Sequence, residues 1–381
     1  MPKRMNEFEK TFESYRKKIN TQLEKYLKEK IRKSRNVSEE VEEVIESLRE
    51  FTLRGGKRIR PMLVISGYKA CGGQNEKAII EASVAVELME SFLLIHDDII
   101  DKDDIRRGGP ALHIQLSKLL EEKKNGEKKE VLSHATGLHV LHADKEHYGR
   151  SMGMLAGDIA AILGCDALLK SSFPAEQRLA AAEIFNSTVV DTCFGQILDI
   201  NSASNININN IEISIKSIKK IHKMKTAIYT AYAPLLIGAV LADATPLQKS
   251  VLRNYAIPFG MAFQIQDDII GLFGDALKIG KPAGSDFREG KITLLTLKAI
   301  ENATRGEKKE ILNALGRGWL KEYELERIKD IVIRTGSLEY SQKISRKLCK
   351  QAVAALDKTE LDKSEVVFLK QLAEYIVNRE K

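Results

Sequence analysis

Cysteine is scarce in this chain, and long apolar runs are missing from it. Only 4 of the 381 residues are cysteines, and they lie far apart without the paired spacing of a zinc site. We expect reduced thiols and no disulfides. The longest apolar run, Ala233 to Ala242, is far shorter than the roughly 18 residues that span a bilayer. With a polar N-terminus that does not resemble a secretory signal, this predicts no transmembrane segment and a cytoplasmic protein.

Alternating β-branched runs bounded by hairpin turns are also rare, which argues against a sheet protein. Charge of one sign does not dominate, because 60 lysines and arginines are interleaved with 53 aspartates and glutamates for a net charge of +7. A nucleic-acid-binding protein would concentrate basic residues on one face, so no nucleic-acid partner is expected. Hydrophobic residues make up 43% of the chain, which is enough for a large core.

Helical spacing of apolar residues is what the chain has in abundance. The first such stripe consists of Phe8, Phe12, Tyr15, Ile19, Leu23 and Leu27. Ser38, followed by two glutamates, predicts the start of a second helix. Residues 79–95 are apolar on nearly all sides, which suits a helix in the centre of a bundle. We therefore predict an all-α fold and treat 1–381 as a single domain, with a solvated insertion at about 114–148 where lysine, glutamate and glycine accumulate.

Two clusters of aspartates follow apolar helical stretches. The first contains Asp97, Asp98 and Asp101, and Asp97 and Asp101 share a helix face because they are one turn apart. Asp267 and Asp268 repeat the pattern far along the chain. A solvated helix end could explain one cluster alone, whereas two matched clusters suggest facing walls of one cavity. Carboxylates at this spacing suit Mg²⁺, and so many of them imply a phosphate ligand bridged by several ions.

Basic residues lie close to both acid clusters in the sequence. Lys57, Arg58 and Arg60 stand between two glycines and a proline, in a turn that could converge on a phosphate. Arg106 and Arg107 follow the first cluster, and Lys281 and Lys291 follow the second. The glycine–lysine segments near 281 and 291 do not have the spacing of a P-loop. This alternation of acids and bases favours diphosphate chemistry.

The order of the motifs resembles that of the trans-isoprenyl diphosphate synthases, the family of farnesyl and geranylgeranyl diphosphate synthases. The resemblance runs from about residue 48 to about residue 297 and is carried by GGKRIRP at Gly55, DDIID at Asp97, RRGGPALH at Arg106, LAGD at Leu155, GQILDI at Gly195, KTAIYTAYAP at Lys225, and FQIQDDIIGLFGD with GKPAGSDFREGK from Phe263 to Lys291. It implies a bundle of antiparallel helices around a central cavity, a homodimer, and magnesium-dependent condensation of isopentenyl diphosphate with an allylic diphosphate such as dimethylallyl, geranyl or farnesyl diphosphate.

The resemblance also implies roles for individual residues. Asp97, Asp101 and Asp267 would be the main magnesium ligands, supported by Asp98 and Asp268. Isopentenyl diphosphate would be held by Lys57, Arg60 and Arg107. The allylic diphosphate would be held by a larger set, comprising Arg106, Lys225, Gln264, Lys281 and Lys291. Gln196 and Thr226 would lie near the reacting carbon, and Asp199 would orient Lys225 or a metal-bound water.

Two positions depart from the family pattern in ways that affect the site. Gly271 stands where many members have a third aspartate in the second cluster, so Asp275 could substitute or the site could use two acids. Glu90 stands where the family often has His or Gln, and its charge would repel a diphosphate unless it were protonated or paired with Lys57 or Arg60.

Product length is predicted from the residues that precede the first cluster. Phe92 lies five residues before Asp97, about 7.5 Å along a helix, and its ring could form the floor of the cavity. One aromatic residue at that distance resembles the archaeal-type geranylgeranyl synthases, so a twenty-carbon product is predicted, with a farnesyl or longer product as the alternative. A non-catalytic subunit of a heteromeric synthase remains a further alternative, although such a subunit usually loses acids from one cluster. A class I terpene cyclase would lack the Gly55 motif.

Overall fold

Helices dominate the computed structural model, which describes residues 6–120, 144–204, 214–275, 283–357 and 359–379. We number them α1 (Glu7–Ser34), α2 (Glu39–Leu53), α3 (Ile59–Ala70), α4 (Glu76–Asp101), α5 (Lys145–Leu169), α6 (Ala175–Ser204), α7 (Ile215–Leu241), α8 (Pro246–Phe273), α9 (Ser285–Arg288), α10 (Leu294–Asn302), α11 (Arg305–Ala314), α12 (Glu322–Arg334), α13 (Ser337–Ala355) and α14 (Lys363–Asn378). Residues 112–120 are also helical. Two short strands, β1 (Ile105–Arg106) and β2 (Gly109–Pro110), pair antiparallel within the described residues. The predicted all-α class is confirmed.

The first two helices begin and pack as their sequences predict. In α1 the apolar stripe is buried except for Phe12, which is partly buried, and Ile19, Leu23 and Leu27 are completely inaccessible to solvent. The Ser38 hydroxyl accepts a hydrogen bond from the backbone N–H of Val41 and caps α2. Thr245 and Gln248 form a reciprocal capping box, which explains why α8 begins at Pro246.

The centre of the bundle is formed by α3, α4, α7 and α8. Helix α4 packs along α5, and α3 packs along the second half of α7. At the α3–α7 crossing the backbones touch, since a Cβ on Gly238 would come within 2.0 Å of the Val64 carbonyl oxygen and a Cβ on Gly67 within 2.3 Å of the Leu235 carbonyl oxygen. Only glycine permits so close an approach. The two helices that end in acid clusters, α4 and α8, are thereby fixed through their neighbours.

Helix α7 is wound more loosely over part of its length. His222–Tyr232 is π-helical, whereas the segments on either side are α-helical. Wider turns of this kind often occur at functional sites. This one carries Lys225, Thr226 and Tyr229.

The predicted insertion is only partly covered by the described residues. Residues 114–120 are helical, and Leu116 is buried in the core instead of being solvated. Residues 145–148 belong to the first turn of α5. The remainder, 121–143, and Lys281 lie outside the described residues.

Two of the described helices are long and apolar enough to cross a membrane by length and composition. Lys145–Leu169 has 39% of its most apolar window buried and Ile215–Leu241 has 72%. Neither helix is one uninterrupted apolar run in the sequence, because glycines and polar residues interrupt the apolar residues while the mean hydropathy stays high. Burial of α7 marks it as a core helix, and such helices are weak evidence for a membrane span.

Candidate active site

The first acid cluster lies at the C-terminal end of α4 and faces α6 and α7. Asp97 Oδ1 accepts a hydrogen bond from Gln196 Nε2 at 2.9 Å and lies 3.4 Å from Lys225 Nζ. Lys225 also donates to Asp199 Oδ2 at 2.7 Å. Although burial disfavours the ammonium, Asp97 and Asp199 raise the pKa of Lys225 above its ordinary value. Lys225 is therefore held as a fixed cation against the cluster.

The other two aspartates of this cluster are buried against basic residues. Asp98 accepts a 2.7 Å hydrogen bond from Arg106 Nε, and Asp101 accepts one of 2.6 Å from Lys291 Nζ. Burial raises the pKa of Asp98 to about 6, an effect that Arg106 opposes. Burial and the neighbouring Asp97 charge raise the pKa of Asp101 to about 7, opposed by Lys291. Burial is thus the main reason why both carboxyl groups hold a proton more tightly than a free aspartate does.

The second acid cluster lies near the end of α8. Gln264 Nε2 donates to Asp268 Oδ1 at 2.7 Å, and the Thr226 hydroxyl donates to Gln264 Oε1. His222 Nε2 lies 3.4 Å from Asp268 Oδ2. Asp267 forms an ion pair with Arg379, from the end of the chain. The sequence analysis did not assign a role to His222 or Arg379.

A cavity of about 300 Å³ lies between the two clusters. It is lined by residues from α4, β1, α6, α7, α8 and the segment that follows α8, namely Asp97, Arg106, Asp199, Ile218, Ile221, His222, Lys225, Thr226, Tyr229, Gln264, Asp267, Asp268, Ile270, Gly271, Ser285, Asp286, Lys291, Ile292 and Thr293. The structure therefore brings most of the predicted allylic-site residues to one cavity.

A second, apolar cavity of about 260 Å³ begins at Asp97 and shares Lys225 and Tyr229 with the first. Its other walls come from α4 and α6 and include Phe92, Leu93, Leu94, His96, Ile100, Thr192, Cys193, Gln196, Ile197 and Ile200. The Phe92 ring packs edge-on against His96, with the ring centroids 4.7 Å apart. A polar chamber thus opens beside an apolar one, with Asp97 at their junction.

Two of the three predicted isopentenyl diphosphate residues, Arg60 and Arg107, pair with Glu90. Arg60 Nη1 and Arg107 Nη2 each lie 2.9 Å from Glu90 Oε1. Burial alone would raise the pKa of Glu90, but the two arginines outweigh it and lower the pKa to about 2. Glu90 is therefore ionised and paired with both arginines. Of the two partners that the sequence suggested, Lys57 and Arg60, the structure shows Arg60. The third predicted residue, Lys57, has its Nζ atom 5.7 Å from the Tyr375 ring centroid.

Arg60 connects this group with the central cavity. Its Nη2 donates to the Tyr229 hydroxyl at 2.8 Å and to the Thr230 hydroxyl at 3.0 Å, and its guanidinium stacks over the Tyr229 ring. The neighbouring Arg58 is different, because its side chain is fully buried and pairs with Glu87 at 2.7 Å. Arg58 therefore holds the turn in place, whereas Arg60 contacts Tyr229, a residue that lines both cavities.

The donor set fits magnesium. Oxygens from Asp101, Asp103 and Glu289 lie within 4.8 Å of one another. Asp98 Oδ2 and Asp268 Oδ2 are buried without a hydrogen-bond partner within the described residues. Carboxylates at this density are the ligands that hard divalent cations prefer.

The sequence did not single out some of the residues that the structure places at this site. Tyr229 and Asp286 lie within quoted motifs, KTAIYTAYAP and GKPAGSDFREGK, but neither was assigned a role. Arg379 lies in the C-terminal segment, for which no motif could be recognised. Its position depends on how α14 packs, and no local pattern reports that packing.

Comparison with known proteins identifies the family. Residues 41–332 match the family model described as polyprenyl synthetase. A geranylgeranyl diphosphate synthase from Sulfolobus acidocaldarius is 31% identical over 349 residues, covering 91% of this chain and 93% of that protein. A geranylfarnesyl diphosphate synthase from Aeropyrum pernix is 28% identical, covering 86% and 91%. The crystal structure of geranylgeranyl pyrophosphate synthase from Corynebacterium glutamicum, complexed with isoprenyl diphosphate and magnesium, has a TM-score of 0.86 at 29% identity and covers 96% and 98%. This chain belongs to the polyprenyl synthetase family.

Proposed function

We propose that this protein condenses isopentenyl diphosphate with an allylic diphosphate and that geranylgeranyl diphosphate is its product. The observation that carries the proposal is the pair of acid clusters facing one cavity that opens beside an apolar chamber. A diphosphate would occupy the polar cavity and its prenyl chain the apolar one. The relatives named as geranylgeranyl diphosphate synthases support the same reaction class.

In this proposal the allylic diphosphate binds between the acid clusters. Magnesium held by Asp97, Asp101 and Asp267, with Asp98 and Asp268 in support, would neutralise the diphosphate and make it a better leaving group. Arg106, Lys225 and Lys291 add fixed positive charge at the cavity wall. Because these cations are already held by carboxylates, little reorganisation is needed as negative charge develops on the leaving group.

The reacting carbon would lie near Gln196 and Thr226. The Gln196 amide is anchored on Asp97, and the Thr226 hydroxyl is anchored on Gln264, so both dipoles have fixed directions. Isopentenyl diphosphate would be held by Lys57, Arg60 and Arg107, with its alkene facing the allylic carbon. The alkene attacks as the C–O bond ionises, and the released diphosphate accepts the proton that is lost.

The twenty-carbon product is supported by the position of Phe92. Its side chain is 9% exposed and lines the apolar cavity on the same helix as Asp97. An aromatic ring there limits how far a growing chain can extend. The similarity to a geranylfarnesyl diphosphate synthase keeps a longer product as the second candidate.

The first test is a condensation assay with labelled isopentenyl diphosphate and farnesyl diphosphate, with magnesium or with a chelator. We expect a twenty-carbon diphosphate that forms only with magnesium. Asp97→Asn should abolish it, whereas Asp330→Asn, an exposed acid on α12, should leave it unchanged. No condensation with any allylic primer would overturn the proposal and favour a non-catalytic subunit.

The chain is further proposed to be a homodimer that works in the cytoplasm. Support for the dimer comes from neighbouring helices α5 and α6, whose exposed apolar side chains include Leu155, Ile162, Phe194 and Ile197, each more than half exposed. The four cysteines are unpaired, as expected in a reducing compartment. Light scattering should give the mass of two chains, and Ile162→Glu should give that of one. Val367→Glu, at an exposed position on α14, is the matched control.

A further inference from the structure

The first acid cluster has three carboxylates, whereas the second has two. The position that matches the third carboxylate is a glycine in the second cluster. In the first cluster Asp101 lies one turn after Asp97, and in the second the residue one turn after Asp267 is Gly271. A cation held at this end of α8 would therefore have fewer ligands than one held at the end of α4. The sequence alone left Asp275 as a substitute, or a site with two acids.

The structure places a different carboxylate at this position. A Cβ on Gly271 would lie 3.4 Å from Asp286 Oδ2, so the Asp286 carboxylate is in van der Waals contact with the space that a side chain at 271 would enter. Asp286, Gly271, Asp267 and Asp268 all line the same cavity. Asp275 is exposed and is not part of that lining.

The segment that carries Asp286 is held against α8 by backbone contacts. The N–H of Gly284 donates to the Gly271 carbonyl at 2.8 Å. Gly284 itself has φ +76°, and a Cβ there would clash with Leu325 at 2.6 Å, so glycine is required for this turn. The Asp286 carbonyl accepts from the N–H of Lys291 at 2.9 Å. These contacts fix the Asp286 backbone beside the position that lacks a side chain.

A second observation points to a ligand in the same place. Asp268 is 4% exposed, and its Oδ2 atom has no hydrogen-bond partner within the described residues. Its contact within salt-bridge distance is His222, at 3.4 Å. A buried carboxylate oxygen without a hydrogen bond is costly unless a cation or water occupies the adjoining space.

We propose that Asp286 supplies the third carboxylate of the second magnesium cluster, in place of a side chain at position 271. This inference rests on the proposed function, since it concerns the same metal-dependent site. It also explains how the chain tolerates glycine at 271. An aspartate added there would place a second carboxylate close to that of Asp286.

The test is the binding of Mn²⁺, as a spectroscopic substitute for Mg²⁺, to the full chain with inorganic pyrophosphate, measured by electron paramagnetic resonance. We expect Asp286→Asn to weaken binding of one pyrophosphate-dependent ion by about tenfold or more, the scale of losing a group that supports a metal site. Asp275→Asn is the matched control and should bind as wild type does.

A double variant keeps the test decisive if Asp286→Asn also affects folding. Gly271→Asp combined with Asp286→Asn returns one carboxylate to the same space, and we expect it to recover most of the lost affinity. Unchanged binding in Asp286→Asn, or a loss in Asp275→Asn, would overturn the inference. If wild type itself binds no Mn²⁺ with pyrophosphate, the proposed function fails instead, so the two outcomes are distinguishable.

Discussion

At the scale of single residues, Glu90 has the most unusual surroundings in the site. It places a negative charge between two arginines that would hold a diphosphate, and both are paired with its Oε1 atom. A diphosphate that binds Arg60 and Arg107 must therefore compete with an internal anion. The sequence shows that the negative charge of Glu90 needs a partner, but it does not identify Arg107 as one. Arg107 reaches Glu90 only because the chain turns back toward α4 after that helix ends.

Replacing Glu90 should separate its effect on folding from its effect on binding. Glu90→Gln leaves two buried guanidinium groups unpaired, so we expect the free energy of unfolding to fall by about 3 kcal/mol. Inorganic pyrophosphate should then stabilise the variant more than it stabilises wild type, since the arginines no longer have a competing anion. Denaturant unfolding with and without pyrophosphate measures both effects. Glu42→Gln, which removes an exposed pair with Arg35, should change neither by more than about 0.5 kcal/mol.

The pKa of Glu90 also predicts how stability depends on pH. Because the folded-state pKa is lowered to about 2, Glu90 contributes stability above its unfolded pKa, and that contribution is lost as pH falls toward 2. The Gln variant lacks this contribution at every pH. The difference in unfolding free energy between wild type and Glu90→Gln should therefore be constant at neutral pH and shrink below about pH 4.5. A difference that grows on acidification would contradict the pairing.

Product length is a second property that we propose to be set by one residue, Phe92. Phe92→Ala removes the ring that lines the apolar cavity, so products longer than twenty carbons should appear when the extracted diphosphates are sized. Val367→Ala, at an exposed position on α14, should leave the product unchanged. If Phe92→Ala gave the same product as wild type, the ring would not be the floor.

At the scale of helices, sequence patterns predicted existence and order well and ends less well. The stripe in α1 and the cap at Ser38 were confirmed because apolar spacing and capping are local properties. Helix α5 begins at Lys145, inside the stretch that was predicted as a solvated insertion, because its polar first turn carries no apolar pattern. The π-helical segment of α7 had no sequence signal at all.

The α3–α7 crossing gives a prediction about helix packing. Gly238→Ala would force a Cβ against the Val64 carbonyl, and we expect it to reduce the free energy of unfolding by about 2 kcal/mol or more. Gly306→Ala is the control, because it lies in α11 with nothing within 4 Å of the added Cβ. That change should be neutral or stabilising by up to about 1 kcal/mol, as expected for alanine in a helix. Urea unfolding of both variants gives the comparison.

At the scale of the whole molecule, the first and last of the described helices meet. Phe8 of α1 packs against Phe368 and Tyr375 of α14, with ring centroids 5.4 and 5.8 Å apart. This packing joins the first and last described helices directly. It could not be predicted from sequence, because contacts between the first and last helices depend on the path of everything between them. Its consequence is that Arg379, just beyond α14, reaches the second acid cluster.

The position of Arg379 predicts that the C-terminus competes with metal. Its guanidinium pairs with Asp267 and stacks on the Phe263 ring at 4.1 Å, and the Arg379 carbonyl accepts from Gln266 Nε2 at 3.0 Å. A cation entering at Asp267 must displace this charge. Arg379→Gln should therefore bind Mn²⁺ more tightly than wild type in the absence of pyrophosphate, by several-fold.

The same contact should be visible as motion in the wild-type chain. Adding magnesium and pyrophosphate should speed amide hydrogen exchange at the end of α14, since the Arg379–Asp267 pair anchors that end, whereas exchange in α12 should not change. Arg327→Gln, which breaks an exposed pair with Glu310, is the control for both measurements and should leave metal affinity unaltered. If Arg379→Gln bound Mn²⁺ no more tightly than wild type, and exchange in α14 stayed constant, Arg379 would be a structural anchor whose charge does not compete with the metal.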